Sequence, residues 1–440
     1  MSSAAVALTA AESSAAHHRD QIFESAISFG ILALVLFGPV AFGAVEPWAI
    51  FTLEAGAVLL FLAWAAKQLI HGEVKVVGNP TLASIIAFAA LVAFQIAAGR
   101  TAYREATITA ALLFASYALL CFLTVQTFRR ISQVKVAGIT FSVYGSLIAL
   151  FAIVQSLAYN GKLYWVRTPR FGGWIYGPYV NHNHYAGLME LLTPIPIVIF
   201  LSARVRGKYK VLAGMAAALM ASSIFLSGSR GGVLAFAAQI VVLAAFRFRR
   251  ADSRRTAIEL GVLAVVAAAM LVWLGNSELL GRVTGIPAAT HAEISDGTRL
   301  NIDRDCVRMF FRKPVIGWGL GTFSVVYPQF RSFYTDFKID HAHNDYLEFL
   351  LETGAIGFCV ILWFLVSVYR SGFKKLNGSG AGTNTEVAVA SLVGITGILV
   401  HSCVDFNLQI PANMALFLIL CTIAAGPAFE KRRHTDRLAS

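Results

Sequence analysis

Apolar runs, each about as long as a bilayer is thick, follow one another along this chain and limit what it can become. Crossing the hydrocarbon core takes about 20 residues in a helix. Lipid offers no hydrogen bonds, so a backbone that crosses it singly must satisfy its own amides and carbonyls, which a helix does. At that length the sequence yields about twelve candidate spans: 23–45, 47–67, 81–98, 108–127, 134–158, 185–202, 211–227, 231–246, 257–275, 355–370, 385–404 and 411–426. Composition agrees, with 57% hydrophobic and 14% charged residues, where soluble domains carry about a quarter charged. The expected class is an all-α polytopic membrane protein.

The cations orient it. With a cytoplasmic N-terminus, one set of connections holds Arg129, Arg130 and Lys135, then Arg204, Arg206, Lys208 and Lys210, then Arg247, Arg249, Arg250, Arg254 and Arg255, then Lys431, Arg432 and Arg433. The short connections on the other side hold far fewer, which by the positive-inside rule makes the first set cytoplasmic. Both termini are then expected inside and the long segment 276–350 outside. The net charge of +12 reads as this topology signal together with contact to anionic membrane lipids, so no nucleic-acid partner is expected. Residues 1–22 are rich in Ala and Ser, lack a basic start, and read as a disordered cytoplasmic tail. The membrane domain is expected over 23–426, with a basic tail over 427–440. Five cysteines are scattered, all but Cys306 in candidate spans, and suggest neither a disulfide framework nor a cysteine metal site.

The polar, potentially reactive residues gather on the external side. Within 276–350, "SDGTRLNIDRDCVRMFFRKP" predicts a helix capped at Ser295 or Asp296 and ended before Pro314. It has a cationic stripe of Arg304, Arg308 and Arg312, and an apolar face of Leu300, Val307, Phe310 and Phe311. "VIGWGLGTF" predicts a tight turn at Gly317, Gly319 and Gly321 rather than a nucleotide loop. The aromatics of "YPQFRSFYTDFKID" suit an amphipathic helix on the membrane surface, with a wall for sugar rings or a lipid tail as the sharper alternative. Two further loops, "FGGWIYGPYVNHNHYAG" and "SGSRGG", carry Asn183, His182 and His184, and Arg230. Arg230 among small residues reads equally as a ligand contact and as a snorkelling side chain.

The densest cluster is "IDHAHNDYLEFLLETGAIGF", residues 339–358. His341, His343 and Asp345 have a spacing known from zinc sites, but one such run needs further ligands, and no metal or other cofactor is expected. As a helix start, Asn344 is the N-cap, with Asp345 and Glu348 in the first turn. Asn344, Glu348 and Glu352 then make a polar stripe on a helix about to enter lipid, where polar groups are usually paired or functional.

His343-Asn344, nine residues, then Gly354-Ala355-Ile356-Gly357 resembles the signature of the O-antigen ligase family, which includes O-antigen polymerases and protein O-oligosaccharyltransferases. "GPYVNHNHYAG", "SGSRGG", "SDGTRL" with "KPVIGWGLGTF", and "HSCVDFNLQIPAN" resemble further family blocks, in family order. About twelve spans with one long periplasmic loop is also that family's layout, and it implies a GT-C-like fold. Phe358-Cys359 stands where ligases often have Thr-Cys.

The resemblance implies a glycosyltransferase of the bacterial inner membrane, active on the periplasmic face in lipopolysaccharide biosynthesis. It would move a glycan from a polyprenyl diphosphate carrier such as undecaprenyl diphosphate to a hydroxyl on a glycolipid or glycan acceptor. Arg230 and Arg299 match the two family arginines and are assigned to the diphosphate, whose oxygens suit a guanidinium fork. His343 is the expected general base. Glu348, His341 or Asn344 would orient its ring, with Asp405 a weaker candidate, and Asn183 and His184 are placed at the substrate. A polysaccharide polymerase of the same superfamily is the alternative. A lipid-linked glycan flippase or transporter is the rival from another class, against which the chain shows no internal repeat.

Overall fold

The structure, a computed structural model, describes residues 3–169, 173–248, 257, 258, 261, 265, 296–335, 338–377 and 382–430. It is helical throughout, with no strand among the described residues. In chain order the helices are α1 (Ser3–Val40), α2 (Pro47–His71), α3 (Leu82–Ala97), α4 (Arg104–Thr127), α5 (Ile131–Leu157), α6 (His182–Leu192), α7 (Pro194–Leu201), α8 (Lys208–Leu226) and α9 (Arg230–Phe248). They continue with α10 (Asp296–Arg312), α11 (Asp345–Asn377), α12 (Thr383–His401) and α13 (Pro411–Ala425).

Among the described residues, 9 spans are long and apolar enough to cross a membrane, α6 and α7 together forming one, and α3 and α13 are shorter apolar helices. Eleven of the expected spans therefore correspond to helices, while most of 257–275 lies outside the described residues. The chain is a multi-pass membrane protein. Its outward faces are themselves apolar, as at Phe29, Phe51, Leu59, Ile86 and Val241, each more than 60% exposed; such faces suit lipid and not water. Hydroxyls inside spans bond back along their own helix, Thr124 to the Leu120 carbonyl at 2.7 Å and Ser142 to that of Gly138 at 2.8 Å. Such pairing is what apolar surroundings require.

Where composition predicts a disordered tail over 1–22, α1 begins at Ser3; the segment is rich in Ala, the strongest helix former.

Alternating spans sort their connections onto two ends. At one end Glu24 pairs with Lys67 (3.1 Å) and Arg130 (3.3 Å), Arg129 with Glu430 (3.4 Å), and Arg204 with Glu386 (3.4 Å). At the other, Arg167 meets Glu46 at 2.5 Å, the Ala102 amide bonds to the Trp318 carbonyl at 2.7 Å, and Gly43 lies against Tyr179 and Ile410. The centre is α6, buried at every residue. Pro194, which lacks an amide hydrogen, opens α7 directly after it.

The described residues between α9 and α11, with the start of α11, build a small core of their own from Ile302, Cys306, Met309, Phe323, Val326, Tyr327, Ile339, Ala342 and Leu351. This corrects two expectations. The inward face of α10 is Ile302, Cys306 and Met309, while Leu300, Val307 and Phe311 are 58%, 48% and 71% exposed. Helical periodicity marks both stripes and does not say which one turns inward. Nor is the aromatic run a surface helix. A single turn at Phe323–Val326 is followed by a 3-10 turn at Tyr327–Gln329 containing Pro328. Tyr327 stacks on Phe323 (5.0 Å), Phe330 meets Trp318 edge-on (5.5 Å), and Phe333 packs on the same core. Tyr334 alone of the described aromatics there stands out, at 85% exposure, and Phe337 lies outside the described residues. The buried Asp305 carboxylate ties this core, accepting from the Ser332 amide (3.0 Å) and the Tyr327 hydroxyl (3.3 Å).

The glycine turn is as expected: Gly317, Gly319 and Gly321 all have positive φ, open to glycine at little cost. It lies alongside α11, with Trp318 and Gly319 amides on the Leu351 and Glu352 carbonyls, both at 2.9 Å. Gln95 of α3 donates to the Ile316 and Glu352 carbonyls at 2.8 Å each. Opposite the turn, Gly354 (φ 65°) kinks α11, and the Ala355 amide reaches the Pro314 carbonyl at 2.8 Å. The nine residues between His343-Asn344 and Gly354 are therefore one straight helical piece, fixed at its far end by this clasp.

Candidate active site

At its near end that helical piece begins as a capped helix should. Asn344 Oδ1 accepts from the amides of Tyr346 (3.1 Å) and Leu347 (3.2 Å). Asp345 is buried and faces the turn after α12: its Oδ2 accepts from the Ser402 hydroxyl (2.7 Å) and the Leu408 amide (3.0 Å). Glu348 reaches back, with Oε1 at 2.7 Å from His341 Nδ1 and Oε2 accepting from the Ala342 amide at 2.7 Å. The spaced His341, His343 and Asp345 thus serve three different partners, Glu348, Asp405 and Ser402.

His343 does not continue an extended strand. Its φ of 53° lies in the left-handed region, uncommon for a residue with a side chain and frequent at functional sites. The two histidines meet the same Phe406 ring at different angles. His341 stacks on the Phe406 ring (4.4 Å, 19°), while His343 meets it edge-on (4.8 Å, 87°), as does His184 (4.6 Å, 76°). Phe406 is the common wall of all three rings.

Beside Phe406, the buried carboxylate of Asp405 gathers two imidazoles and a guanidinium. His343 Nδ1 is 3.7 Å and His184 Nε2 3.9 Å from its Oδ1, and Arg299 Nη2 is 3.9 Å from its Oδ2. These are ion-pair rather than hydrogen-bond distances. Arg299 also donates to the Val404 carbonyl at 3.0 Å. Burial alone would raise the Asp405 pKa, but the imidazoles of His343, His184 and His401 outweigh it and hold the group well below the usual carboxylate range. Burial likewise pushes the His341 imidazole down, and Glu348, Glu352 and Asp340 more than reverse that, leaving its pKa raised. Asp303, one turn beyond Arg299, has its pKa raised by burial, partly offset by His343 and Arg299.

Of the sequence candidates, His343, His184, Arg299 and Asp405 converge directly, and His341 joins them through Phe406. Glu348, expected among the residues that orient His343, instead holds His341, and Asp405, the weaker candidate, stands beside His343. The helix between explains this: Glu348 lies one turn beyond Asn344 and folds back over the chain before His343. Asn183 is buried next to His184, where its backbone amide donates to Asn181 Oδ1 (2.8 Å) at the start of α6. Arg230 opens α9 with its side chain exposed. The next residue, Gly231, lies against the His401 ring, where a Cβ would fall 2.5 Å from Cδ2 and Nε2. The "SGSRGG" and "GPYVNHNHYAG" loops are joined by His182, whose Nδ1 is 2.8 Å from the Ser227 carbonyl and whose ring stacks on Trp174 (4.2 Å). Sequence reasoning missed Phe406 and Asp303. Adjacency to Asp405 was a signal for Phe406, and spacing of one helical turn from Arg299 a signal for Asp303.

Residues 215–362 match the model of the family described as O-antigen ligase. That stretch is an O-antigen ligase family domain. It contains Arg230, Arg299, His341 and His343. His184 and Asp405 lie outside it on either side and reach the same site through α6 and the turn after α12. No curated protein matches the chain at a significant level. An O-antigen ligase domain within a multi-pass chain supports glycan transfer of the ligase kind in general.

Proposed function

We propose that the O-antigen ligase domain transfers a glycan from a polyprenyl diphosphate carrier to an acceptor sugar hydroxyl, on the periplasmic face of the inner membrane. The observation that carries this reading is the meeting of His343, His184 and Arg299 on one buried carboxylate, Asp405, from four separate chain segments. His343 Nδ1 faces Asp405, which leaves Nε2 for the acceptor. The acceptor oxygen attacks the anomeric carbon and gives its proton to His343 Nε2, and the bond from that carbon to the diphosphate oxygen breaks. Asp405 stabilises the imidazolium as it forms. The diphosphate departs with its electron pair as a stable anion, so the leaving group needs positive charge rather than a proton, and Arg299 and Arg230 supply it. Resting this chemistry on arginines, the mechanism calls for no metal. An apolar cavity of about 170 Å³ between α3, α4, α11 and α13 supports a lipid-borne donor. It is walled by Phe88, Phe114, Tyr117, Phe349 and Phe417, and Asp345, two residues from His343, also lines it.

The test is transfer by purified protein given lipid-linked glycan and acceptor, without ATP or an ion gradient. Product formation is expected; movement of the lipid across the bilayer with no new glycosidic bond would favour a flippase. The outer location rests on the cation bias. Ser332→Cys is expected to react with an impermeant thiol reagent in intact cells and Ser379→Cys to be protected, and the reverse would invert the topology.

A further inference from the structure

Beneath the site, wholly inside the bundle, lies an acid–base pair that the transfer step does not use. Glu190 of α6 and His401, the last residue of α12, are 0% and 1% exposed, with Oε1 and Nδ1 2.7 Å apart. Polar groups held this deep among membrane helices are retained for pairing or function, and three contacts link this pair to the site.

The His401 carbonyl accepts from the amides of Val404 (2.9 Å) and Asp405 (3.1 Å), and so sets the turn that presents the Asp405 carboxylate. Its ring, held by Glu190, fills the space beside Gly231, against which the first turn of α9 and therefore the Arg230 backbone is seated. Below, Gln239 of α9 donates to the Glu190 carbonyl at 2.6 Å and to the Val393 carbonyl of α12 at 3.3 Å. The seam thus joins α6, α9 and α12, the three elements that carry His184 and Arg230 and lead into Asp405.

We infer that Glu190 and His401 are positioning residues of the transfer site, fixing Asp405 and the start of α9 relative to one another. This rests on the transfer reading above. A misplacement of about 1 Å in a reacting constellation lowers turnover by about 100-fold, and that sets the expected scale.

The experiment compares Glu190→Leu, Glu190→Gln and Gly231→Ala in the full-length protein, with kcat and KM per folded molecule in the transfer assay. Glu190→Leu removes the ring's anchor and is expected to lower kcat by about 100-fold with donor KM within about twofold. Glu190→Gln keeps a hydrogen-bond acceptor for His401 and should recover about tenfold of that loss. Gly231→Ala leaves the pair intact but pushes on the ring; it too should lower kcat, which keeps the test decisive where Glu190→Leu fails to fold. Full kcat per folded molecule in Gly231→Ala, or Glu190→Gln as impaired as Glu190→Leu, would overturn the inference. Absence of transfer by the unaltered protein would instead overturn the reading on which it rests.

Discussion

Replacing Asp405 with Asn keeps the shape of the side chain and removes the charge that His343, His184 and Arg299 share. The carboxylate is 1% exposed and 3.7 Å from His343 Nδ1. At an effective dielectric constant of about 20, unit charges at that distance attract by about 4 kcal/mol. Were the imidazolium fully formed in the transition state, its loss would slow transfer by about 1,000-fold, and with the proton about half transferred by about 30-fold. Asp405→Asn also leaves Arg299 without its counter-charge beside the histidine, which moves the expectation toward the larger figure. The assay is steady-state transfer by purified protein, with melting temperature as the check on folding. Since the acceptor proton moves only in the chemical step, kcat should fall while donor affinity is nearly kept. An Asp405→Asn variant that folds and retains more than about a third of kcat would refute the electrostatic role assigned to it.

Arg230→Lys keeps charge but loses the two-pronged fork, and transfer should still fall by about tenfold or more; near-normal rates would remove Arg230 from the diphosphate. Gly354→Ala adds a side chain at φ 65° directly against the Val315 backbone, so it should unfold the clasp and cost well over the roughly 1–2 kcal/mol of left-handed strain alone. Gly72→Ala, with φ 69° and nothing within 4 Å of the added carbon, is the control and should show only that smaller loss; equal shifts in melting temperature would deny the clasp. The raised pKa of His341 gives a stabilisation fully present below its unfolded value, roughly pH 6.5, and lost as pH rises through the higher folded value. Wild type should therefore exceed His341→Asn in melting temperature most in mild acid, with the gap narrowing toward alkaline pH; a gap that widens there would contradict the His341–Glu348 pairing.

Length and hydropathy were enough to read the helical spans, because a bilayer leaves the backbone few alternatives. The capped start at Asn344 and the glycine turn were legible for the same kind of local reason. What sequence could not supply was pairing between distant segments. Asp405 was legible only as a weaker candidate, and only the packing of α6, α10, α11 and α12 brings His184, Arg299 and His343 to it. Glu348, near His343 in sequence, was the natural partner to expect, but one turn into α11 it folds back onto the Ala342 amide and gives its carboxylate to His341 instead. The faces of α10 failed in another way: Leu300, Val307 and Phe311 form a genuine apolar stripe, yet the loop's own core takes the stripe through Ile302, Cys306 and Met309.

The central claim, that His343 removes the acceptor proton, is tested most directly by transfer from lipid-linked glycan with His343→Ala protein, alongside a separate measurement of donor binding. The expected result is loss of turnover by about 100-fold or more, with folding and donor affinity close to wild type, and a smaller loss for His341→Ala. Full turnover in His343→Ala, or complete loss in His341→Ala alone, would contradict the assignment.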